Sequence, residues 1–271
     1  RYYGGTIIHT PLALMEIIFD IKDKKNIFLF KHYIFFTLFF LSLISFFNII
    51  KSRFSDWKYA VLGVLILFIS PRIFSNSIYN NLAIPFMAFV IFSLNSGLCL
   101  LKKANFKNII LFSIFSAISI DIRIMGIMIP TIILSIFFFK SLILKKEYKK
   151  NFLVILYTTI ITFFLVILTW PMLWSNPIQN LINVFKNLSS HPIVGYNFFL
   201  GEAIPYDQVP WHYLPVWILS TTPALYSVFF FLGFYKFIKS VFQKKNVEFF
   251  ILDLSLVLVF FIPIVSIIFL N

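Results

Sequence analysis

The residues able to do chemistry are few, and they stand apart from the apolar bulk of the chain. Glu202, Asp207 and His212 lie in GEAIPYDQVPWHYLPVW. A general base must bring a carboxylate or imidazole within hydrogen-bond reach of the proton it removes, and all three groups are eligible. Each could equally serve to order its loop. Tyr213, between Trp211 and Trp217, suits an interfacial aromatic belt or a flat platform for a sugar face or prenyl chain. Asp121 and Arg123 interrupt the apolar run AISIDIRIMGIMIP. Charges in such positions are costly and face a bundle interior or a water-filled cavity. The Arg123 guanidinium suits phosphate oxygens, with Asp121 to orient it; the alternative is a local ion pair that shapes a turn. Gly126 would let helices approach closely. Arg72, in SPRIFSNSIYNN, could hold a lipid phosphate at the membrane edge or simply snorkel. Asn80 and Asn81 could bond sugar hydroxyls or cap the next helix.

The elements that must position these residues are membrane helices. Hydrophobic residues make up 60% of the 271, and charged residues only 12%, where soluble domains carry about 25%. Mean hydropathy is +0.93. Apolar runs near twenty residues long recur, as crossing a hydrocarbon core of roughly 30 Å requires. The expected fold is an all-α polytopic transmembrane bundle, one integrated domain over 1–271. The single Cys99 excludes a disulfide framework. No metal-ligand cluster, P-loop, dinucleotide-binding glycine pattern or serine elbow is present.

Spans are expected at 31–50, 57–71, 82–101, 108–121, 124–144, 151–170, 211–235 and 247–270. The stretch 108–140 is too long for one straight crossing, so it reads as two short helices turning near Asp121–Arg123. Basic residues collect at alternate junctions: Lys51, Arg53 and Lys58; Lys102, Lys103 and Lys107; Lys140, Lys145, Lys146, Lys149 and Lys150; Lys236, Lys239, Lys244 and Lys245. By the positive-inside rule these are cytoplasmic. The net charge of +13 is then a topology signal with contact to anionic lipid, and not a nucleic-acid footprint. Lys22, Lys24, Lys25 and Lys31 fall on the wrong side, partly balanced by Asp20 and Asp23.

This orientation puts every unusual polar residue on the extracytoplasmic side. Residues 1–30 read as part of a first external loop, and 171–210 as a long one. The segment Trp170–Trp217 holds four of the five tryptophans, which suggests use at a surface. Asn176 and Pro177 make a helix start. Ile178, Leu181, Ile182, Phe185 and Leu188 then share one face of an amphipathic helix lying on the membrane. A similar helix is expected from Thr10 to Ile21. A chain opening on Arg1 reads as a piece of a longer polytopic protein.

RYYGG, SPRIF followed by NNLAIPF, DIRI-x-G, WP-x-LW and PWHYLPVWILSTTP together resemble integral-membrane glycosyltransferases of the GT-C class. The likeness is to family 39, the protein O-mannosyltransferase-like group, over most of residues 1–235. It implies a bacterial inner-membrane enzyme with its active side outside the cell. The donor would be a polyprenyl-phosphate sugar, a co-substrate in place of any cofactor. The acceptor would be a hydroxyl on a glycan, lipid or protein. Arg72, Asp121 and Arg123 would serve the lipid phosphate, and Asn80, Asn81, His212 and Tyr213 the sugar or acceptor. Glu202 and Asp207 would be secondary candidates for the base, because the family's acidic first-loop motif lies upstream of the YYGG-like segment. Related bacterial members read NNPKDIPF where this chain has NNLAIPF, so an acid expected near Ala83 is missing. A transporter or flippase of a lipid-linked substrate is the alternative, although no internal repeat supports it. A non-catalytic scaffold is the other.

Overall fold

Apolar runs punctuated by basic clusters and prolines fold into helices along most of the chain. The computed structural model describes residues 5–144, 148–189, 195–242 and 247–270. It divides into two units, Arg1–Asn180 and Leu181–Asn271. The first holds α1 (His9–Ile18), α2 (Lys24–Phe54), α3 (Trp57–Ile69), α4 (Pro71–Tyr79), α5 (Ala83–Lys102), α6 (Phe106–Ile122), α7 (Met128–Leu144) and α8 (Tyr148–Thr169). α9 (Pro177–Ser189) leads into the second, which holds β1 (Tyr196–Phe199), β2 (Glu202–Pro205), α10 (Tyr213–Thr221), α11 (Ala224–Phe242) and α12 (Val247–Leu270). Among the described residues, five helices are long and apolar enough to cross a membrane, and up to seven spans result if each of two bent helix pairs is one. The protein is a helical integral membrane protein.

In the first unit α5 is the central helix. Phe39 and Leu43 of α2 and Ile84 of α5 form a buried cluster, closed by Val64, Leu67 and Phe68 of α3. On its other side α5 meets α6 through small residues. Ser93 and Ser116 share a hydrogen bond of 2.8 Å. A Cβ on Gly97 would come within 2.9 Å of the Phe112 ring and 3.1 Å of Ile133. Small residues let helix backbones approach where lipid removes any hydrophobic drive between helices. Helix starts follow local capping: the side chains of Asp23, Asp56 and Asn105 accept from the backbone N–H groups of Asn26, Lys58 and Asn108.

Four expected spans differ in detail. The span placed at 31–50 is part of α2, a helix of 31 residues. That is about 46 Å at 1.5 Å per residue, longer than a hydrocarbon core. The span at 57–71 ends at Ile69, and α4 leaves it at 65°. Pro71 at the first position of α4 starts the new helix and pushes Ser70 to extended backbone, with ψ 114°. The span at 211–235 breaks more sharply. Thr222 is extended before Pro223, and α10 and α11 meet at 117°. The two-helix reading of 108–140 holds, since α6 ends at Ile122, a 3-10 turn covers Ile124–Ile127 and α7 follows; but α6, at 17 residues, is not among the helices long enough to cross, so among the described residues eight expected spans become at most seven.

Candidate functional site

The chain alternation of the first unit puts the start of α5 and the ends of α3, α6 and α8 together. Cross-contacts fix this. Arg123, just after α6, lies over the ring of Phe86 in the first turn of α5, 6.0 Å from its centroid. At the opposite end Lys140 Nζ donates to the Leu101 carbonyl at 2.7 Å, and Asn108 Nδ2 to the Cys99 carbonyl at 3.2 Å. One end therefore carries Arg72, Asn80, Asn81, Asp121 and Arg123. The other carries Lys51, Lys58, Lys102, Lys103, Lys107, Lys149 and Lys150.

The N-terminal segment docks on the polar end. Gly5 N–H donates to the Asp121 carbonyl at 2.6 Å, and Ile7 N–H to Asp121 Oδ2 at 2.9 Å. Thr6 Oγ1 donates to the Thr169 carbonyl at the end of α8, at 3.2 Å. Asp121 is completely buried. Its Oδ1 has no hydrogen-bond partner among the described residues. A Cβ at Gly5 would overlap the carboxylate, so the close approach needs glycine there.

The expected pairing of Asp121 with Arg123 is not formed among the described residues. Residues two apart do not face each other, and Arg123 has already left the helix, with φ −147° and ψ 130°. Its side chain is exposed and rests on Phe86, while the Asp121 carboxyl turns inward to the backbone of residue 7. Gly126 has the role foreseen for it: a Cβ there would meet the Ser119 carbonyl at 2.5 Å and the Ile120 nitrogen at 2.7 Å. Only glycine lets the 3-10 turn fold back on the last turn of α6.

Arg72 is exposed in α4, and its carbonyl accepts from Asn76 Nδ2 at 2.7 Å. Asn80 works as a cap. Its Oδ1 accepts from Ala83 N–H at 2.8 Å and Leu82 N–H at 3.2 Å, and its Nδ2 donates to Asn76 Oδ1. Asn81 is exposed in the same turn. Trp170, expected at a surface, is instead buried at 1% exposure. Its indole N–H has no partner among the described residues.

In the second unit Glu202 stands exposed at the start of β2, opposite Phe199 in the pairing register. Phe199 is buried, its ring 5.5 Å from His212 and 5.1 Å edge-on from Tyr213. Tyr213 stacks on Trp217 at 6.3 Å. Glu202, His212 and Tyr213 thus gather around one phenylalanine. Asp207 falls in a 3-10 turn, Tyr206–Gln208, and its side chain lies outside the described residues. A crevice between Trp211, Tyr213, Leu214, Ile267 and Ile268 has a volume of about 20 Å³, which is room for a water and not a sugar.

No protein-family model, curated protein or solved structure matches this chain.

Chemically, the first unit offers two exposed guanidinium groups, Arg72 and Arg123, at the end opposite Lys102, Lys103 and Lys107. The second offers a carboxylate, an imidazole and stacked rings. Among the described residues no group of three or more His, Cys, Asp or Glu could hold a metal. Reading the sequence missed Gly5, Thr6, Thr169, Phe86 and Phe199. The glycine pair in YYGG was a visible signal for close approach, but its partner stands more than a hundred residues away.

Proposed function

We propose that the protein is a membrane glycosyltransferase that moves a sugar from a polyprenyl-phosphate donor to a hydroxyl acceptor on the extracytoplasmic face. The observation that supports this reading is the placement of Arg72 and Arg123 at one end of the first unit, opposite the end that carries Lys51, Lys58, Lys102, Lys103, Lys107, Lys149 and Lys150. Arginines exposed at a membrane edge suit a lipid-borne phosphate, which they can meet with paired N–H groups. Attack of the acceptor oxygen at the anomeric carbon would break its bond to the phosphate oxygen, and the arginines would stabilise the phosphate that departs. The acceptor proton would pass to a carboxylate or imidazole base. Asp121 and Asn80 serve in this reading by holding the loop and the α5 start that frame the site, because their side chains bond to the chain itself.

Reconstituted full-length protein tests this. Losing a charge-assisted contact costs about 1.5–3 kcal/mol, so Arg123→Ala should slow transfer from a polyprenyl-phosphate sugar by about 10- to 100-fold. Unchanged transfer would remove the role assigned to Arg123.

A further inference from the structure

We propose that the apolar face of the β1–β2 hairpin seats in the interfacial layer of the lipid bilayer and fastens the 195–212 loop to the membrane. The register pairs Tyr196 with Pro205 and Phe198 with Ala203. Paired residues share a face of a sheet, so these four form one uncharged side. Leu200 stands at the tip. Tyr196, Phe198 and Leu200 are 69%, 79% and 77% exposed. A lone two-stranded hairpin is marginally stable in water, and a contiguous exposed apolar patch marks a contact surface.

Geometry within the second unit says what that surface meets. Through Phe199 the other face of the hairpin packs on His212 and Tyr213. Tyr213, Trp211 and Leu214 line a crevice with Ile267 and Ile268, near the end of α12. Residues 249–269 of that helix are long and apolar enough to cross a membrane. The closing pair of the hairpin, Phe199 and Glu202, therefore stands beside residues at the end of a span, at the depth of the headgroups. Trp211, 71% exposed, adds the side chain that this layer favours most. The uncharged side is turned away from that contact and offers no charged group to set the register of a protein partner. Glu202, the charge of the hairpin, belongs to the opposite face.

Nitroxide labels on the full chain in phosphatidylcholine–phosphatidylglycerol liposomes test this, in a Cys99→Ser background. Labels are placed singly at Phe198→Cys, Leu200→Cys and Glu202→Cys, and only variants that retain helical circular dichroism are compared. The expected result is that labels at 198 and 200 collide preferentially with oxygen and that the label at 202 collides with a water-soluble nickel chelate. Nickel accessibility at 198 and 200 equal to that at 202 would overturn the proposal. So would spin–spin broadening at 198, which would mean that a second copy covers the face.

Discussion

Asp121 illustrates how a charge inside an apolar run acquires its role. Its carboxyl is buried and receives Ile7 N–H, so it works as a clasp for the N-terminal segment. Asp121→Ala should free that segment. With Thr6→Cys in a Cys99→Ser background, labelling by an impermeant maleimide should then speed up about 10- to 100-fold, as losing a hydrogen bond to a charged group implies. Asp121→Asn keeps an oxygen for Ile7 N–H and should label slowly. Equal rates in all three proteins would deny the clasp. Gly126 gives a second prediction. Its missing Cβ is replaced by α6 backbone, which cannot step aside. Gly126→Ala should therefore cost about 1–3 kcal/mol, seen as a lower melting temperature in detergent. The close approach at Gly126 was legible in the sequence; the partner of Asp121 was not. Asp121 and Arg123 look like a pair only when written on a line; backbone direction sends them apart, and Asp121 finds a partner 114 residues away.

At the scale of elements, apolar length was a faithful guide because membrane crossing demands it. α5, α6, α7, α8 and α12 stand close to where their runs predict. Breaks inside runs were less legible. Pro71 and Pro223 were visible, yet hydropathy continues across both, and only the missing backbone N–H and the restricted preceding residue bend the chain. The hairpin went unread because YNFFLGEAIP lacks the Asn-Gly signal of a tight turn. Its loop instead holds Leu200 at φ 52° and Gly201 at φ 95°, a pair of positive angles that leucine seldom supplies. The α5–α6 contact permits a direct check. Ser116→Ala removes the shared hydrogen bond with Ser93. It should destabilise the protein by about 0.6 kcal/mol, the average for such bonds between membrane helices. Ser116→Leu, which must fit a fully buried position, should cost more. Equal melting temperatures for the three proteins would mean that α5 and α6 do not pack through these serines.

For the whole molecule, charge sorts the ends. The cluster that defied the positive-inside pattern is partly neutralised, since Lys22 pairs with Asp20 and Lys31 with Glu16, each at 2.8 Å. The length of α2 also carries its first turns beyond a hydrocarbon core. Single cysteines at Lys107 and Asn81 in a Cys99→Ser background should thus label from opposite faces of the membrane, position 81 from outside the cell; labelling of both from one face would contradict the topology. The central claim is that this sidedness serves transfer of a sugar. The most direct measurement supplies full-length protein in liposomes with a polyprenyl-phosphate donor labelled in its sugar, together with a hydroxyl acceptor. The account predicts that label leaves the lipid and appears on the acceptor. Labelled donor that only changes leaflet, its sugar–phosphate bond intact, would contradict it.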